Sequence, residues 1–182
     1  MNLRQFIYRQ IAKRQPARAK VYRNFNDVKS ILIIFESDYI ERNTFIKNAL
    51  AKLKEDGKNA EAWGYVDKND STTSTIAPFR IICNNDISKL THIPKKESLS
   101  EMLSQHYDLL IDLRTKPCIP MQYMTLYANA DLKAGADIED AESCKVRPLD
   151  FMVKLPQTDD ENPEPDPQTL FNEIIYYIRT IK

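Results

Sequence analysis

Four apolar residues, Leu109, Leu110, Ile111 and Leu113, close around Asp112 with no polar gap of helical spacing between them. A run that is apolar at consecutive positions cannot leave one face to water, so it reads as a buried parallel strand with an acid at its carboxyl end. Ser30 to Phe35, SILIIF, has the same character. Two such strands predict a sheet covered by helices on both faces, with the two as adjacent central parallel strands. In open α/β sheets ligands occupy the crevice beyond the carboxyl ends of the strands, which directs the search for a site to the segment from Asp112 to Pro120.

The rest of the chain alternates strand and helix. Asp38 with Glu41 three residues later has the form of a capping box, opening a helix through Phe45, Ile46, Ala49, Leu50 and Leu53 that Gly57 closes. Ala60 to Val66 is a second strand, followed by a polar loop over 68–75. Phe79 to Cys83 starts after Pro78 and is a third strand or an edge segment. Ser98 reads as the cap of a short helix to Gln105, with Glu101 three residues on, and Pro120 stands as a first helical residue before Met121, Met124, Thr125 and Ala128. Strands follow at Leu132 to Ala134 and Leu149 to Leu155, and a helix from Gln168 to Ile181 ends the chain. Residues 156–168 hold four prolines and five acids and read as an extended acidic linker. The expected architecture is a three-layer α/β/α sandwich with a mostly parallel, Rossmann-like sheet. Residues 1–26 form a basic helical arm, and residues 27–182 form a single α/β domain that includes the linker and the last helix.

The formal net charge of zero hides a division. Residues 1–26 carry Arg4, Arg9, Lys13, Arg14, Arg18, Lys20 and Arg23 and no acid, so the arm is +7 and the remainder −7. Such a split points to an anionic partner for the arm, whether a membrane surface, RNA or an acidic face of its own domain. Leu3, Phe6, Ile7 and Ile11 follow helical spacing as one apolar stripe, which Arg14 interrupts and Pro16 ends. No apolar run approaches the roughly 20 residues of a membrane span, so a soluble or peripheral protein is expected. Cys83, Cys118 and Cys144 lie far apart without C-x-x-C spacing, which argues against a disulfide framework and a cysteine zinc site and suits a reducing cytoplasm.

The sequence has three glycines, Gly57, Gly64 and Gly135. A dinucleotide fingerprint needs three within six residues at the first strand-to-helix turn, and a phosphate loop is excluded for the same reason. That turn here is Phe35-Glu36-Ser37-Asp38-Tyr39, whose acids would repel phosphate. No cofactor is expected. His92 and His106 share no spacing with a nucleophile, and Cys118, with only Lys116 near it to stabilise a thiolate, reads as inert. Asp38 and Asp112 are the catalytic candidates: both follow predicted parallel strands and could face each other for acid/base work or hold a divalent metal. Their alternative roles are a helix cap for Asp38 and a loop-bonding carboxylate for Asp112.

The run YDLLIDL, then Pro120 and Tyr123, then ANADLKAG from Ala128 to Gly135, resembles a family of small bacterial α/β proteins of unknown function. It is also similar to the N-terminal half of heptosyltransferase-type glycosyltransferases, in which an Asp after the first strand is the proposed base. That resemblance implies a base at Asp38, although Ser37 replaces the glycine before it, and the chain has no residues left for a second sugar-nucleotide domain. The expectation is a non-enzymatic binding or interaction module tethered through its basic arm. The alternative is a glycosyltransferase-like remnant or enzyme centred on Asp38 and Asp112.

Overall fold

The computed structural model of the chain describes residues 3–15, 18–37, 40–68, 78–138, 148–155 and 166–180. Six strands form one sheet: β1 (Ser30–Glu36), β2 (Asn59–Tyr65), β3 (Arg80–Ile82), β4 (Tyr107–Asp112), β5 (Ala130–Asp137) and β6 (Phe151–Lys154). Their order is β3-β2-β1-β4-β5-β6 and every pairing is parallel. The two apolar runs are neighbours at the centre, with Ile31 opposite Leu109, Ile33 opposite Ile111 and Ile34 opposite Asp112. Their apolar side chains are fully buried because both sheet faces are covered.

Alternation along β1 divides its side chains between two cores. Ile31, Ile33 and Phe35 meet α2 (Ile40–Glu55) and α5 (Pro167–Thr180) on one face. Leu32 and Ile34 meet α3 (Ser100–Ser104) and α4 (Ile119–Tyr127) on the other. The helix α1 (Leu3–Lys13) lies outside α4. Gly57 ends α2 in the left-handed conformation, φ 73°, where Gly57 N donates to Lys54 O and Lys58 N to Leu53 O. Asp166 caps α5 by accepting from Thr169 N at 3.3 Å, with Pro167 as the first helical residue.

Two local expectations change. Ser98 does not cap α3, which starts two residues later after Leu99, because the Ser98 hydroxyl donates to Asp86 Oδ1 at 2.8 Å. The strand expected at Leu132 to Ala134 extends over eight residues, since the polar Asp131 and Lys133 find partners within the fold. Lys133 Nζ donates to the carbonyls of Thr125 and Leu126 at 2.6 and 3.1 Å, closing the C-terminus of α4, and burial pushes its amine down to about 8. Asp38, and with it the expected capping box, lies outside the described residues, as does most of the acidic linker.

The amino edge of the sheet carries a row of aspartates. Asp108, at the start of β4, accepts from the Lys29 and Ser30 amides of β1 at 2.7 and 3.0 Å, and Asp108 N donates back to Ser30 Oγ at 2.9 Å. Burial opposes ionisation of Asp108, yet these donors and the nearby Arg23 outweigh it and hold the carboxyl below its ordinary range. The folded state therefore binds fewer protons than the unfolded chain as pH falls below about 4. The stabilisation from Asp108 is complete above the unfolded value and is lost as pH drops through the lower folded one. In urea unfolding, wild type should exceed Asp108→Asn by a constant margin from about pH 5 to 8, and the margin should shrink on acidification below about pH 4.

Candidate functional site

The sheet order reverses between β1 and β4, and the crevice beyond their carboxyl ends is the place to look for a ligand. Asp112 ends β4 there, but its carboxylate does not face open space. It is 1% exposed and accepts Arg114 Nε on both oxygens at 2.9 Å and Arg114 Nη2 at 2.6 Å. Thr125 Oγ1 on α4 donates to Oδ2 at 2.7 Å, and the Arg114 amide donates to Oδ1 at 3.1 Å. Burial alone would lower the Arg114 guanidinium, yet the Asp112 charge and hydrogen bonds raise it, and the two groups close on each other. Next to it Gly135 pairs with Asp112 across the strands, and a Cβ there would lie 2.9 Å from Asp112 O and 3.1 Å from Asp112 Cβ. Only a glycine lets β5 approach this closely.

A second charged group sits one strand away. Glu36, at the end of β1, is buried and pairs with Arg42 of α2 at 2.6 Å and Lys116 at 3.6 Å. Lys116 is therefore turned to Glu36 rather than to Cys118. Burial pushes the Cys118 thiol up to about 12, against the Met121 amide and the Arg114 charge. His106 Nε2 lies 3.0 Å from Asp131 Oδ1, and His92 holds a left-handed backbone, φ 58°, in a surface turn. Neither adjoins Asp112. Among the described residues no three His, Cys, Asp or Glu side chains come together as metal ligands. A cleft of about 380 Å³ between α2 and α5, walled by Phe45, Phe171 and Ile175, is not lined by Asp112 either. Arg114 is a partner the sequence reading did not name; the signal that could have found it is that residues two apart on an extended segment point the same way.

The arm is the other candidate, and the structure brings its cations to different places. Tyr8 and Ala12 are buried against α4, with the Tyr8 and Tyr123 rings edge to face at 5.1 Å and Ile11 beside them. The docking face is thus centred on Tyr8 and Ala12. Of the apolar stripe read from the sequence, Ile11 joins that contact while Leu3 and Phe6 remain 57% and 43% exposed. Residues 18–23 then run along the amino edge of the sheet. Arg18 donates to the carbonyls of Ala130 and Asp131 at 2.6 and 2.7 Å and pairs with Asp150, which Lys20 also meets at 3.2 Å. Arg23 pairs with Asp131 and lies 3.4 Å from Asp108. Val21 N donates to Asp131 O at 3.2 Å. Arg4 Nε and Nη2 donate to the carbonyls of Leu90 and Lys89 at 3.3 and 3.4 Å. Lys13 and Arg14 are exposed at the end of α1 and pair with no carboxylate among the described residues. No helix among those residues is long and apolar enough to cross a membrane.

Removing Asp112 leaves the buried Arg114 guanidinium without its acceptor, while the Thr125 hydroxyl keeps Met121 O at 3.0 Å. Asp112→Ala should lower the unfolding free energy by about 3–5 kcal/mol, and pairing Asp112→Leu with Arg114→Met should recover most of that loss. Chemical denaturation of the three variants checks this.

In fold the chain is similar to the E. coli heptosyltransferase WaaC solved with ADP, at 13% identity and a TM-score of 0.44. The likeness covers 79% of this chain and 46% of that one, so this chain spans about half the length of the glycosyltransferase. No curated protein matches the chain. The model of a family of unknown function, DUF6913, matches residues 2–181, and the chain belongs to that family.

Proposed function

We propose that the protein is a non-enzymatic interaction module that meets an anionic partner through the outward face of α1. One observation carries this reading. Residues 18–23 spend their charge on Asp108, Asp131 and Asp150, while Lys13 and Arg14 stand on a helix fixed to α4 with no carboxylate of the described domain opposite them. A fixed cationic face raises the local concentration of anions and steers their encounter. The competing reading, a glycosyltransferase-like site at Asp38 and Asp112, requires Asp112 to exchange Arg114 and Thr125 for a substrate. That exchange would leave a buried guanidinium unpaired.

The two parts of the arm should respond differently to substitution. Lys13→Glu with Arg14→Glu should abolish retention on heparin at low salt while shifting the melting temperature by no more than about 2 °C, as expected for exposed positions. Arg18→Ala should leave heparin retention in place but cost about 2 kcal/mol of stability, since the Asp150 carboxylate is almost fully buried. Equal retention of wild type and the Lys13/Arg14 variant would refute the proposal. So would a sugar nucleotide that raises the melting temperature of wild type but not of Asp112→Asn.

A further inference from the structure

We infer that the cleft between α2 and α5 is a binding site for a small amphipathic anion, a compact aromatic body that carries one acidic group. This site is independent of the α1 face. Both helices cover the same side of the sheet, and each turns one stripe toward the cleft: Phe45, Ala49 and Leu53 from α2, Phe171 and Ile175 from α5, all four residues apart. Ala49, small between two large neighbours, leaves room at the floor. The two ends are filled by aromatic rings. Phe45 and Phe171 meet edge to face at 5.6 Å and bridge the helices at one end. Phe25 lies at the other, with the Arg179 guanidinium 5.1 Å and Lys58 Nζ 4.4 Å from its ring centre.

A slot of about 380 Å³ with rings at both ends suits a compact molecule rather than a helix or strand that must run through it. Its size falls within the roughly 300–1,000 Å³ of small-molecule sites, and a buried apolar floor under a polar rim is their usual lining. The rim sets the charge of the ligand. Asp56 is the acid that lines the cleft, and its charge acts on the buried Lys58, whose Nζ donates to the carbonyls of Phe25 and Val28 at 2.8 Å each. With that acid set against Lys58, Lys52 and Arg179 remain on opposite walls, exposed and paired with no carboxylate among the described residues. The amides of Asn48 and Asn172, also on facing walls, add hydrogen-bond donors. An aromatic body can thus rest on the phenyl rings while its acidic group meets the two cations at the mouth.

Fluorescence titration of the full chain with two dyes tests this. One is 1-anilinonaphthalene-8-sulfonate, and the other is N-phenyl-1-naphthylamine, the same ring system without the sulfonate. Wild type should bind one equivalent of the sulfonate about tenfold or more tighter than the amine. Lys52→Glu with Arg179→Glu, at exposed positions, should remove that preference and keep binding of the amine. Ala49→Phe should fill the floor and weaken both dyes by about tenfold or more. If it also lowers the melting temperature, Asn172→Trp, on the exposed rim, makes the same test with the fold intact. Lys13→Glu/Arg14→Glu should bind both dyes as wild type does. Absence of saturable binding, or binding that neither filling variant weakens, would overturn the site. Loss of the sulfonate in the Lys13/Arg14 variant would place the dye on α1 and overturn it too. Equal affinity of wild type for the two dyes would refute the anionic ligand.

Discussion

The architecture depends on the row of aspartates along the amino edge of the sheet. Asp108 and Asp150 each serve two masters, a backbone amide of a neighbouring strand and a cation of the arm, and Asp131 adds a third point of attachment. Asp150 accepts from the Lys133 amide at 2.9 Å, registering β6 against β5, while its other bonds hold Arg18 and Lys20. A buried carboxylate is tolerated only with such a set of donors. The same contacts that align the strands therefore fasten residues 18–23 to the sheet, and α1 packs separately on α4 through Tyr8 and Ala12.

At the opposite edge the physical logic is one of closure. Where a parallel sheet ordinarily offers a ligand site, this chain places a strand-end aspartate inside a bidentate guanidinium pair, with a threonine from α4 completing it and a glycine drawing β5 against it. Glu36 is likewise enclosed by Arg42 and Lys116. The Asp112 carboxylate has a donor on each oxygen, whereas Glu36 Oε1 is buried with no donor among the described residues.

The arm joins the two themes. Its acid-free composition could have served one purpose, but packing divides it. The half nearest the sheet neutralises the domain's own acids, and the helical half turns cations and apolar tips outward. A helix held by aromatic packing, as α1 is by Tyr8 and Tyr123, would lose little conformational entropy on meeting a partner of the proposed kind.

Sequence alone settles the central pair of strands, the covered sheet and the helix closed by Gly57, because each rests on a local signal: an apolar run or a glycine free to take positive φ. It also located the charged arm and the strand-end Asp112. Tertiary structure decided what those groups do. The closure of Asp112 is completed by Thr125, thirteen residues away on another element. Whether Lys133 interrupts a strand or sits within it depends on carbonyls at the end of α4. The division of the arm depends on Asp108, Asp131 and Asp150, all brought near by the parallel topology. Periodicity reports which residues avoid water; only the packed fold selects which charge meets which, since that choice is made between elements that are distant in sequence.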